Sequence, residues 1–243
     1  MTNKEKIYRI LVESDAVVSG EKLSELLGIS RVSIWKHIKG MVGDGIPVVS
    51  SSKGYRLDNN LDSLHPLGFD RRSAPVHYFH ETGSTMDEAL EFVRQGCPDM
   101  TVVVADRQHQ GRGRMRREWA SEDGGLYFTV IVRPEIPVLQ ASLVNLAAAV
   151  ELCLLLQDEY NIEARLKWPN DIYFGKKKCG GILTESCHLT GSDPAPSAIV
   201  GIGLNVNSME ADFARELVPS ATSLLLESGL KKEIREVQKE VQK

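Results

Sequence analysis

The feature that most constrains this chain is a change of hydrophobic texture near Val76. Upstream, apolar residues recur at helical spacing in three short bursts. Downstream, β-rich runs at 76–79, 101–105, 126–132, 182–185 and 198–202 are interleaved with helical stretches over 85–95 and 139–160, the second strongly apolar and expected to be buried. At roughly 100–200 residues per domain, 243 residues make one or two domains. The change of texture places a small helical module ahead of a mixed α/β body of about 150 residues.

The upstream pattern is specific in its order. Ile7, Ile10 and Leu11 mark a first helix, and Leu23, Leu26 and Leu27 a second, opened by Ser19-Gly20. Gly28 suits the left-handed residue that ends a helix, and Ser30 suits the cap of the next, over 31–42. Ile34, Ile38 and Met41 give that third helix its buried side. Val48-Val49 and then 53–57 read as a β-hairpin. Helix, turn, helix and wing in this order make a winged helix-turn-helix. The polar residues of the third helix, Arg31, Ser33, Lys36, His37 and Lys39, suit phosphates or base edges. The alternative is a three-helix module for protein contacts, with those charges merely solvated.

Charge is compatible with this division. The net charge of −4 argues against nonspecific coating of nucleic acid by the whole chain. Residues 1–60 nonetheless hold nine Lys/Arg against seven Asp/Glu. No apolar run approaches the ~20 residues that span a bilayer. Residues 1–10 are charged and lack a signal-peptide core, so a cytoplasmic protein is expected. Cys97, Cys153, Cys179 and Cys187 form no C-x-x-C pair, which indicates buried free thiols rather than a zinc site or a disulfide framework.

Four strings in the second part have the makings of a site. Residues 108–119 (QHQGRGRMRREW) combine glycines with four arginines. Glycines let backbone N–H groups approach anionic oxygens, and arginines bind phosphate in forks. The string matches neither the P-loop nor the dinucleotide fingerprint, and taken alone it is equally consistent with an RNA-binding loop or a solvated turn. Residues 165–173 contain Lys167-Trp168-Pro169-Asn170-Asp171. This is either a hairpin-capping turn or a site in which Asp171 handles Mg²⁺ and Lys167 an anion. Lys176-Lys177-Lys178 before Gly180-Gly181 is ordinarily a solvated loop, though one lysine entering the strand can point into a pocket. In 201–207 (GIGLNVN), the glycines permit close ligand approach and Asn205 offers a donor and an acceptor to a base edge.

Together, from about residue 4 to 226, these segments resemble the biotin–protein ligase family, and within it the bifunctional bacterial ligase–repressors. The resemblance implies an α+β chain. It would hold a winged helix-turn-helix over 1–60, a linker over 61–75, a class II synthetase-like mixed α/β catalytic domain over 76–230 and a charged helical tail over 231–243. It implies that biotin attacks ATP to give biotinyl-adenylate, from which a lysine of a carboxylase's biotin carboxyl-carrier domain takes the acyl group. It also implies Mg²⁺, binding to operator DNA, dimerisation on adenylate binding and no membrane partner. Lys178 and Arg114 match the catalytic positions. Ser84, Thr85, Gln108, Gly111, Arg112, Gly113, Arg114, Lys178 and Gly181 match the biotin side. Arg114, Arg117, Trp119, Lys167, Asn170, Asp171 and Asn205 match the nucleotide side, with Asp171 on the metal.

Three departures stand out. Met86 occupies a position where the family usually has asparagine, which removes one amide contact. Arg116 stands where a glycine is common, which alters loop closure. The family's small C-terminal β-barrel, which helps close over ATP and recognise the acceptor, has no counterpart before Lys243. These departures support a second reading, a ligand-sensing DNA-binding repressor with weak or no ligase activity. The Arg-Arg-x-Ser-Gly-Gly-Gly-like segment of lipoate and octanoate transferases is missing, which disfavours that branch of the fold.

Overall fold

The computed structural model describes residues 2–14, 16–58, 64, 74–133, 141–187, 197–234 and 236–237. The chain divides into two compact units, Met1–Asp70 and Arg71–Lys243. In the first, helix α1 (Asn3–Val12) starts at a capping box: the Glu5 amide donates to the Thr2 hydroxyl, and the Thr2 amide donates to the Glu5 carboxylate. Ser19 caps α2 (Gly20–Leu27), which ends at Gly28 with φ 65°. Ser30 caps α3 (Arg31–Gly43). Strands β1 (Val48–Ser51) and β2 (Gly54–Leu57) pair antiparallel to form the hairpin. Ile7, Leu11, Leu23, Ile34 and Met41 are almost wholly buried together. Each such side chain contributes about 1.5–3 kcal/mol on transfer from water, which is what holds three short helices in one arrangement.

The second unit is built on a seven-stranded sheet in the order β3-β4-β5-β9-β8-β7-β6. The strands are β3 (Val76–Thr82), β4 (Val102–Gln108), β5 (Gly125–Val132), β6 (Ala164–Lys167), β7 (Asp171–Phe174), β8 (Lys177–Cys187) and β9 (Ser197–Asn205). Only the β3–β4 pair is parallel, joined through helix α4 (Thr85–Arg94); the other neighbours are antiparallel. Along β8, Glu185 meets Arg112 and its neighbour Thr184 bonds Asn145 of helix α5 (Ala141–Tyr160). Adjacent strand residues point to opposite faces. Helix α5 therefore backs one face of the sheet, while α4 and the Gly/Arg loop cover the other.

Some expectations shift. Only one side of α5 is buried, through Ala149, Leu152 and Leu156; Leu143, Val150 and Leu154 are exposed. Residues 139–140 of the expected helix lie outside the described residues, as does all of the expected linker except 64, 74 and 75. The short α6 (Leu224–Ser228) and the strands β6 and β7 have no counterpart in the hydrophobic pattern. Of the expected tail helix, residues 234 and 236–237 are helical, with Ile234 and Val237 buried; 235 and 238–243 are outside the described residues. The four cysteines are unpaired, and burial pushes the Cys179 thiol well up. Among the described residues, no helix is long and apolar enough to cross a membrane.

Candidate active site

The site is assembled on β9. Gly201 and Gly203 are two residues apart, so both face the same side of the sheet. A β-carbon at Gly203 would lie 2.5 Å from Nε1 of Trp119, and one at Gly201 would lie 2.8 Å from the sulfur of Met86. Neither neighbour could sit there over any other residue. The missing side chains make the floor of a cavity of about 390 Å³, with Met86 over one part and Trp119 over the other.

Polar groups beside Met86 form a directed chain. Ser84 caps α4 and is buried. The Thr129 hydroxyl donates to the Thr85 hydroxyl at 2.9 Å. The Thr85 amide and hydroxyl both donate to Oε1 of Gln108, at 2.8 and 3.1 Å. The Gln108 amide nitrogen donates to the Ser121 hydroxyl at 2.9 Å, and Ser121 donates to the Trp119 carbonyl at 3.1 Å. The amide of Gln108, which lines the cavity, is thereby fixed in one orientation.

Cations gather at the other part. Nζ of Lys178 lies 2.8 Å from Oδ1 of Asp171 and 5.2 Å from the centre of the Trp119 ring. Lys178 is placed there by β8: its amide donates to the Ser220 carbonyl, and its carbonyl accepts from the Thr222 amide. Arg114 donates to Oδ1 of Asn170 at 3.2 Å. Arg112 spans Asp87 at 2.8 Å and Glu185 at 3.7 Å, which lays the Gly/Arg loop across α4 and β8. Nε1 of Trp119 is buried and has no hydrogen-bond partner among the described residues. A buried donor left unpaired costs about 1–3 kcal/mol and marks a position worth filling.

Most of the expected residues come together. Ser84, Thr85, Gln108, Arg112, Gly113, Arg114, Arg117, Trp119, Lys167, Asn170, Asp171, Lys178 and Gly181 all line the cavity. Gly111 and Asn205 do not. A β-carbon at Gly111 would strike the Trp119 carbonyl at 2.3 Å, so this glycine lets two loop strands meet. Asn205 is buried and donates to the Thr222 carbonyl at 2.9 Å, which turns its amide away from the cavity. Lys167-Trp168-Pro169-Asn170-Asp171 closes the β6–β7 hairpin, with Lys167 opposite Asp171 in the strand register, and it also lines the cavity. Lys176 is exposed in the turn, whereas Lys178 enters the strand and the cavity.

Gly201 and Gly203, glycines of the string expected to permit close approach, line the cavity. Trp168 and Leu183 line it as well, and Ser121 and Thr129, which nothing in the sequence announces, brace its polar end. Arg116 has φ 58° and Met115 φ 56°, a region that costs a non-glycine residue about 1–2 kcal/mol. That is why a glycine serves well where Arg116 stands.

As to a metal, Asp171 is the acid expected to hold one, and it is already paired with Lys178. Among the described residues, no group of three or more His, Cys, Asp or Glu side chains could enclose an ion. Mg²⁺ commonly takes one or two carboxylates and completes its shell with water and substrate phosphates. The donor set fits an ion that arrives with a nucleotide, not a resident one.

In the first unit, Arg31 of the expected DNA-binding residues lines a cleft of about 480 Å³ between α3 and the hairpin, together with Val32, Trp35 and Lys53. Lys36 and Lys39 are exposed elsewhere on α3, and Ser33 and His37 are half-buried.

Residues 78–205 match the model of the biotin/lipoate A/B protein ligase family, and residues 3–56 match an HTH domain model. The bifunctional ligase/repressor BirA of Bacillus subtilis is 39% identical over 222 residues, covering 88% of this chain and 68% of that protein. The biotin protein ligase from Aquifex aeolicus, solved in complex with biotin and ATP, superposes with a TM-score of 0.58 at 35% identity, covering 69% of this chain and 67% of that one. The biotin protein ligase from Leishmania major in complex with biotinyl-5-AMP gives a TM-score of 0.54 at 26% identity, covering 69% and 71%. With a glycine-floored cavity lined by the residues of the family's motifs and an HTH domain ahead of it, this chain belongs to the biotin/lipoate A/B protein ligase family and is a biotin–protein ligase enzyme.

Proposed function

We propose that the protein joins biotin to ATP and passes the biotinyl group to a lysine of a carboxylase's biotin carboxyl-carrier domain, in the cytoplasm. The observation that carries this reading is one cavity in which a polar end (Ser84, Thr85, Gln108) and a cationic end (Lys178, Arg114, Arg117) share a floor without side chains. The first end suits a ureido ring and the second suits a carboxylate meeting a triphosphate.

In the first step, a carboxylate oxygen of biotin attacks the α-phosphorus; the new O–P bond forms as the bond to pyrophosphate breaks. Two anions must approach, so the residues' work is to lower that repulsion. Lys178 exchanges Asp171 for the carboxylate and then the acyl phosphate. Arg114 and Arg117 hold phosphate oxygens, and Arg112 and Gly113 close the loop. Trp119 packs against the nucleotide, and Lys167, Asn170 and Asp171 line its side. Asp171 would hold Mg²⁺, which neutralises phosphate charge when it binds with the nucleotide. In the second step, the neutral acceptor amine attacks the acyl carbon, its proton leaves, and AMP departs with the bridging oxygen.

The first unit is proposed to bind operator DNA, with occupancy of the cavity promoting a homodimer that grips two half-sites; linking two modules raises avidity without new contacts. The test is incubation with biotin, ATP, Mg²⁺ and a carrier domain, following acceptor mass and pyrophosphate. A biotinylated acceptor supports the reading. Absence of both signals with biotin bound overturns it in favour of a sensor.

A further inference from the structure

We infer that Val32 and Trp35 are sequence-reading residues that contact the 5-methyl groups of thymines in the operator; this rests on the operator-DNA reading above. Helix α3 spends Ile34, Ile38 and Met41 on the core. Val32 and Trp35 are left 63% and 51% exposed. They are three residues apart and so share one helical face. That face lines the cleft against the hairpin, beside two cations, Arg31 and Lys53, and one acid, Glu21.

The cleft is built, not incidental. The amides and carbonyls of Val18 and Tyr55 exchange hydrogen bonds at 2.8 and 2.9 Å, which pins the hairpin to the start of α2. Gly54, with φ +140°, approaches so closely that a β-carbon there would lie 2.2 Å from the Val18 carbonyl oxygen. The wing is therefore held against the start of α2, on one side of the cleft.

Charge identifies the occupant. Residues 31–43 include Arg31, Lys36 and Lys39 and no acid. Nζ of Lys39 lies 5.4 Å above the Trp35 ring, so a cation caps one face of the indole. A basic helix with two apolar side chains at its leading end suits a polyanion that presents an apolar group at a defined place. In the major groove that group is the thymine methyl; every other base edge there offers only donors and acceptors.

The test uses the intact protein with biotin and ATP. A preferred duplex is selected from random sequence, and each thymine is then replaced singly by deoxyuridine, which removes only the methyl. Binding is read by fluorescence anisotropy. Two thymines in each half-site are expected whose replacement weakens binding about fourfold, the effect of one buried methyl. One penalty should vanish in Val32→Ala and the other in Trp35→Leu, with unchanged thermal melting of both variants. Uracil tolerated at every position of a tightly bound duplex overturns this inference and leaves operator binding standing, as do penalties that persist in both variants. Failure to select any preferred duplex overturns the operator reading itself.

Discussion

If β9 is a shared floor with two occupants, a single methyl group should distinguish its ends. Consider Gly203→Ala and Gly201→Ala. The strand sets the two positions about 7 Å apart on one face. At 203 the new carbon would lie 2.5 Å from Nε1 and 2.7 Å from Cε2 of Trp119. Favourable carbon contacts begin near about 3.5 Å, so the indole must move by about 1 Å. It is half-exposed and can do so at the expense of its place under Lys178. Overpacking of this kind costs about 1–3 kcal/mol, and if it falls on nucleotide binding it amounts to about a 5- to 150-fold loss. At 201 the clash is with the sulfur and Cγ of Met86, at 2.8 and 2.9 Å. Met86 is only 3% exposed, so its thioether must turn into the cavity and shorten the biotin end. Calorimetric titration of each variant with biotin and, separately, with a non-hydrolysable ATP analogue reads the two ends independently. Gly203→Ala should weaken the nucleotide and spare biotin; Gly201→Ala should do the reverse. Equal losses for both ligands in both variants, or an unaffected nucleotide in Gly203→Ala, would refute the division of the floor.

Other expectations follow from the same geometry. Ser121→Ala removes the partner of the Gln108 amide and the hydrogen bond to the Trp119 carbonyl; each is worth about 1 kcal/mol, so biotin should bind about 5- to 30-fold more weakly, which titration would show. Lys178→Met keeps much of the side-chain bulk but leaves the acyl phosphate without its cation; pyrophosphate release should fall by about 10²–10³-fold, with biotin affinity measured alongside as the control. A pH effect is expected at Asp106. Burial lifts its carboxyl above the ordinary range, outweighing the hydrogen bonds from Tyr78 and His80. The folded chain thus holds this proton more tightly than the unfolded one. The associated stability is whole below about pH 4 and is lost as pH rises through the raised value. Asp106→Asn should therefore compare more favourably with the parent at pH 7 than at pH 4 in urea unfolding; an identical difference at both would count against the account.

The residue types of the site were legible in the sequence, but their pairings were not. Local rules sufficed for the first unit, because a capping serine and a left-handed glycine act within a few residues: Ser19, Gly28 and Ser30 stand where those rules put them. Periodicity failed for β6 and β7 because each has only four residues, too few for alternation to register. Asn205 shows a different limit. An amide in a glycine-rich string suits a base edge in composition, yet here it satisfies the carbonyl of Thr222, seventeen residues on. Which demand an amide answers depends on what the chain brings beside it later.

The same dependence governs the cations of the cavity. Lys178 pairs with Asp171, Arg114 with Asn170, and Arg112 with Asp87 and Glu185. These three cations already have internal partners, so at each of them substrate binding is an exchange of partners. Exchange favours the ligand only where it offers more charge than the partner it displaces. Arg114 gives up a neutral amide oxygen, whereas Lys178 gives up a full carboxylate. A phosphate therefore gains more at Arg114 than a lone carboxylate gains at Lys178. Lys178 is released at least cost once the Asp171 carboxylate acquires another cation, which is the part left for an ion that arrives with the nucleotide.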